Sequence, residues 1–252
     1  MASRRSKDRF RSTRKPRKKP DTYFEHTQQP LQSLLLVAPL LVLFHVGVLA
    51  WGIHDYPEYP MRVFLQYFGV TTSFLPPLLV VGVLLAQHLA RRDPWTARPW
   101  TLLGMLGESV AWTLPLLAVQ YLRDLAISAD LASTLPAARG LGKQIVFYMG
   151  TGVYEEFVFR LVAISLLMLV LVDLLALPET AAAITAVVVS AVLFALAHFG
   201  IPGVWEGASF SWPRFLFLAP AGVLWGGLYA FRGFGIAVGS HVTWNVLHLL
   251  LS

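Results

Sequence analysis

The chain of 252 residues has no cysteine. Disulfides, thiolate metal sites and cysteine nucleophiles are therefore excluded, and cysteine usage carries no sign of a redox compartment. Charge is scarce too: 13% of the residues are Asp, Glu, Lys or Arg, about half of what an ordinary soluble domain carries. No internal repeat is visible, and the His-Glu-x-x-His spacing of many zinc peptidases is absent. What fills the chain instead is apolar. Hydrophobic residues make up 56% and the mean hydropathy is +0.61, which excludes a soluble globular protein and predicts an integral membrane protein.

The net charge of +6 is concentrated at one end. The first twenty residues hold ten of the twenty Lys and Arg with a single acid, Asp8, for a local charge of +9 and a remainder of −3. This stretch of Arg, Lys, Ser and Pro has too little apolar content to form a core and reads as disordered. Under the positive-inside rule it anchors the N-terminus in the cytoplasm, where binding to anionic headgroups is compatible with it. It lacks the aromatic interleaving of single-strand binders, so no nucleic-acid partner is expected. Nor does it lead into a cleaved signal, because the apolar run that follows is long enough to span a bilayer.

Apolar runs at 31–53, 63–90, 101–122, 145–177, 180–199, 215–231 and 234–251 predict an all-α, polytopic transmembrane bundle of about seven to eight helices with its active site inside. The run 145–177 exceeds the length of one crossing and is expected to be a tilted helix plus a second, short piece. Pro76-Pro77 should bend or break the second span. Arg91, Arg92 and Arg98 follow that span and place its end on the same side as the tail. Residues 123–143 read as a polar linker with a short interfacial helix. Three regions result: a basic tail at 1–25, an N-terminal transmembrane hairpin at 31–99 and a core at 100–252. Gly222-xxx-Gly226 and Gly235-xxx-Gly239 let helix backbones approach closely in the last two spans.

Intramembrane polar residues are costly and form a short list: Glu108, Glu155, Glu156, Arg160, His198, His241, Asn245 and His248. Glu108, alone in its span, is read as a glutamate bonded to a neighbouring helix, with a part in a polar active-site cavity as the alternative. Glu156 and Arg160 are i, i+4 with the acid first, the favourable order for a pair on one face. Glu155 is rotated from Glu156 by about 100° and is freer to face a cavity. His241 and Asn245 are again i, i+4. Taken singly, each has a structural reading: a buried ion cluster, a hydrogen-bonded core histidine, interhelical glue. Together they describe a reaction centre. A carboxylate beside a histidine can deprotonate water, and histidine and amide donors can stabilise an oxyanion, which suggests hydrolysis of an acyl bond.

Glu155-Glu156-x-x-x-Arg160, Phe194-x-x-x-His198 and His241-x-x-x-Asn245, in that order and each on an expected span, resemble the motif set of the CPBP family of intramembrane endopeptidases, relatives of the type II CAAX prenyl endopeptidase and of bacteriocin-processing proteins. The resemblance covers roughly residues 100–250. It implies that Glu155 activates water with the aid of His198, that His241 and Asn245 bind the oxyanion, and that Glu156 and Arg160 brace the site. It implies membrane lipids and a membrane-associated peptide or protein substrate as partners.

The resemblance leaves metal dependence open. The reading adopted is metal-free, with no cofactor; the alternative is zinc held by Glu155, His198 and His241. Two other readings compete with the protease. One is a non-enzymatic member that binds a peptide, confers immunity or acts as a scaffold. The other is a small transporter relaying protons, against which stands the lack of matched, interrupted halves.

Overall fold

The computed structural model describes residues 22–52, 75–127, 140–199 and 208–251. The basic tail through residue 21, the start of the second span, the interfacial helix expected within 123–143 beyond residue 127, and part of the loop before residue 208 lie outside the described residues.

Thr22 caps the first element, α1 (Tyr23–Thr27): its hydroxyl accepts from Glu25 N and the Glu25 carboxylate accepts from Thr22 N, both at 3.3 Å. This reciprocal box satisfies two donors that a helix start leaves open. Pro30 opens α2 (Pro30–Trp51), where a missing N–H costs nothing. The chain continues with α3 (Leu75–Arg91), α4 (Pro99–Ile127), α5 (Leu141–Leu174), α6 (Glu179–Ala197), α7 (Trp212–Arg232) and α8 (Phe234–Leu251). The described residues contain no strand.

Six of these helices, all but α1 and α3, are long and apolar enough to cross a membrane, and α3 is a shorter apolar helix. Their outer faces stay apolar: Val42, Val46 and Leu49 on α2 and Leu103, Leu106 and Leu114 on α4 are all exposed. Such faces suit hydrocarbon, where each helix satisfies its own backbone. The chain is a multi-pass helical membrane protein.

Two expectations are refined. The 145–177 run is a single helix, α5, without a second piece. No Gly or Pro interrupts it between Val153 and Leu177. Two π-helical stretches, Phe157–Ile164 and Leu169–Leu174, lie within it. At α-helical rise its 34 residues would reach about 51 Å, well beyond the ~30 Å hydrocarbon core. The third span runs on past 122 to Ile127, into the expected linker. Pro76 and Pro77 fall within the described α3, which is helical from Leu75, while the earlier part of the expected span lies outside the described residues.

Close packing centres on α8, whose residues from Phe234 to Val242 are all buried. It contacts α2, α4, α5 and α7. A Cβ on Gly235 would meet Met105 Cε at 2.6 Å and Ser33 Cα at 3.0 Å, and Gly239 sits against Ser109 and Leu36. A Cβ on Gly222 would reach Ala191 Cα at 2.9 Å. The two small-residue pairs thus let α8 approach α2 and α4, and α7 approach α6. Gly233 joins α7 to α8 in a single residue at φ 94, a conformation open mainly to glycine.

Candidate active site

Glu155 and Glu156 stand where the α-helical part of α5 gives way to π-helix. Single π-turns recur at functional positions in other helices. The rotation between neighbouring residues separates the two acids: the Glu156 side chain is 0% exposed and that of Glu155 is 22% exposed. One is sealed in protein and the other borders open space.

Arg160, itself fully buried, brings Nη1 to 3.2 Å from Glu156 Oε1. The contact is ionic rather than an aligned hydrogen bond, since Nη1 has no hydrogen-bond partner among the described residues. Nη2 donates to the Gly222 carbonyl at 3.2 Å, and the guanidinium lies over the Phe194 ring, 4.5 Å from its centre. One arginine therefore joins α5 to α6 and α7. Without a counter-charge, either Glu156 or Arg160 would be a buried ion of high cost.

His241 on α8 places Nδ1 2.7 Å from Glu156 Oε1. A carboxylate accepts, so the ring proton sits on Nδ1, and Nε2 faces Glu155 Oε2 at 3.5 Å. His198, the C-cap of α6, has Nδ1 2.8 Å from the Phe194 carbonyl. A carbonyl can only accept, so that proton too is on Nδ1. Its Nε2 then faces Glu155 Oε1 at 3.7 Å. The two histidines thus turn equivalent nitrogens toward opposite oxygens of one carboxylate.

The sequence-derived candidates Glu155, Glu156, Arg160, His198 and His241 meet in one cluster built from α5, α6 and α8. Asn245 lies one turn along α8, and its Nδ2 donates to the Tyr148 carbonyl at 3.1 Å. The amide nitrogen carries a second hydrogen, which that bond does not use.

Among the described residues no three His, Asp or Glu side chains form a group placed to hold a metal ion; Glu155 meets each histidine separately. The donor types nevertheless suit zinc. Two imidazole nitrogens and a carboxylate are common zinc ligands, and Nδ1 protons held by a carbonyl and a second carboxylate are the usual outer support.

Aromatic rings line the cluster, and the sequence reading did not single them out beyond Phe194. Phe194 meets Phe159, His198, Trp225 and His241 edge-on at 4.7 to 5.9 Å between centres. Trp225 stacks on His241 at 3.7 Å and 9°. Nothing in spacing announces Trp225, because it is separated from its partner by a helix turnover at Gly233.

Polar residues elsewhere serve other contacts. Glu108 binds Arg232 through Nε at 2.5 Å and Nη2 at 2.6 Å, and also accepts from Tyr23 Oη at 3.0 Å and Trp112 Nε1 at 3.1 Å. Arg232 escapes a list of intramembrane charges because it ends its helix. His45, in mid-span on α2, is also missing from that list. It faces Tyr154 Oη at 3.4 Å through Nε2. His248 sits 2.5 Å from Gln120.

The fold and cluster define the class: a helical membrane protein with two carboxylates, two histidines and an arginine gathered inside its bundle. Residues 138–247 match the family model described as Type II CAAX prenyl endopeptidase Rce1-like. The matched segment contains all three motifs, and the match is consistent with a relative of the CPBP family. No curated protein and no solved structure matches the chain.

Proposed function

We propose that the protein is an intramembrane endopeptidase that hydrolyses a peptide bond of a membrane-associated peptide or protein, with water activated by Glu155 and His198. One observation carries the reading. Both oxygens of Glu155 face a histidine Nε2, at 3.5 and 3.7 Å, and both histidine protons are committed elsewhere, to Glu156 and to the Phe194 carbonyl. The facing atoms are all acceptors at separations too long for direct bonds. A water molecule supplies the two protons such a set lacks.

In this mechanism the water donates to Glu155 and His198. Glu155 takes its proton as the oxygen adds to the substrate carbonyl carbon, and returns that proton to the leaving amine as the C–N bond breaks. The tetrahedral oxyanion is stabilised by the second Asn245 N–H and by His241, whose Nε2 takes the water proton over from Glu155 and hands it back before it passes to the leaving amine. Glu156 and Arg160 hold His241 in place without touching substrate. The type II CAAX description of the family suggests substrates with a lipid-modified C-terminal region. The basic N-terminus is assigned to the cytoplasm by the positive-inside rule.

A zinc-dependent form of the same protease is the second reading, favoured by the two convergent Nε2 atoms. Purified protein in detergent, given tagged membrane-anchored peptides with and without a prenyl group, tests both. Cleavage by the wild type, lost in Glu155→Ala and His198→Ala and retained with a chelator, is the expected result. Cleavage surviving both substitutions overturns the assignment of the base, and cleavage abolished by the chelator establishes the zinc form.

A further inference from the structure

We propose that Trp225 on α7 is a positioning residue that fixes the plane of the His241 ring; this rests on the protease reading above. His241 has to meet two carboxylates at once, Glu156 at Nδ1 and Glu155 at Nε2. Those contacts lie along the ring edges. They hold the edges in line but restrain tilt of the ring out of its plane weakly, since the histidine χ2 torsion is broad. A flat face laid against the imidazole supplies the missing restraint. Trp225 lies 3.7 Å from it and within 9° of parallel, and is itself 1% exposed.

The placement of Trp225 is in turn built in. Gly222 and Gly226, one on each side of it in sequence, press α7 onto α6, where a Cβ would meet Ala191 backbone or Val187. The Gly222 carbonyl accepts from Arg160. The Trp225 ring also meets Phe194 at 5.8 Å and Trp244 at 6.0 Å, with the Arg160 guanidinium 5.8 Å from its centre. The indole is thereby wedged against the same arginine that neutralises Glu156. A shift of α7 would move His241 and Arg160 together, which gives this helix a part in the site although it carries none of the motif residues.

Trp225→Phe keeps a flat ring at the same height, whereas Trp225→Leu removes it and keeps apolar volume. With a cleaved membrane peptide, Trp225→Phe is expected to stay within about threefold of wild type, while Trp225→Leu loses about 10- to 100-fold in kcat with KM within about twofold, the scale of a small misplacement of a catalytic group. A purely structural tryptophan would show activity following thermal stability in both variants, or an unchanged kcat in Trp225→Leu. Either result overturns the proposal. A second measurement does not depend on turnover. The His241 ring protons, assigned with His241→Gln, should be shifted upfield by the indole ring current in wild type and lose that shift in Trp225→Leu. Unchanged His241 resonances overturn the stacking role even if no substrate is ever cleaved.

Discussion

His241 Nδ1 and Glu156 Oε1 lie 2.7 Å apart, both buried, and the same oxygen faces Arg160. A single carboxylate oxygen therefore ties α8 to α5 and holds the histidine that also faces Glu155. The two adjacent glutamates have distinct surroundings: one belongs to the scaffold of the site, the other to its open side.

Replacing Glu156 with glutamine should damage the fold first. It leaves the Arg160 charge buried without its counter-ion and gives up a charged hydrogen bond to His241. Loss of one partner from a buried pair costs about 3–5 kcal/mol. Thermal unfolding in detergent should record a large fall in midpoint for Glu156→Gln, and replacing Arg160 as well, with methionine, should recover part of it.

Gly152 separates α5 from α8 one turn before the two glutamates. A Cβ there would meet Val242 Cγ2 at 2.8 Å and the Val242 backbone nitrogen at 3.1 Å. Gly152→Ala is expected to push the helices apart beside His241, at about 1–3 kcal/mol, and to lower cleavage as well as stability. Chemical denaturation combined with a peptide assay checks both effects, and the milder Gly107→Ala, where a Cβ meets nothing within 4 Å, serves as the control.

Alkaline pH should weaken the attachment of α1. Burial, and then the bond to Glu108, raise the Tyr23 hydroxyl from 10.0 to about 12. A group with a raised folded-state pKa contributes stability that is whole below its unfolded value and is lost as pH climbs through the folded one. Wild-type thermal midpoints should therefore decline between pH 10 and pH 12 more steeply than those of Tyr23→Phe.

Much of this architecture is legible in the sequence because membrane burial writes strong signals. Long apolar runs marked six of the expected spans to within about five residues, the start of the 63–90 run lying outside the described residues, and a glutamate pair with an arginine one turn later stands out where charge is costly. The close approaches at Gly222 and Gly235 were foreshadowed by small residues four apart. What stayed hidden depends on tertiary distance. Arg232 reaches Glu108 across 124 residues, and no local spacing encodes such a meeting. Trp225 resembles any apolar aromatic until its ring is seen against His241. The continuity of α5 is a further case: its excess length is visible, but whether the chain breaks or stays helical through π-turns is decided by packing and by carbonyl partners such as the Ser190 hydroxyl on Phe159.

In the proposed mechanism Glu155 activates water while Glu156 supports the site. The most direct measurement is kcat for Glu155→Gln on a cleaved membrane peptide, taken beside its thermal midpoint. Because the Glu155 side chain borders open space, the midpoint should stay near that of wild type while kcat falls by about 10²–10⁴-fold, the usual contribution of a general base. A Glu155→Gln protein that folds normally and cleaves at the wild-type rate would contradict the account.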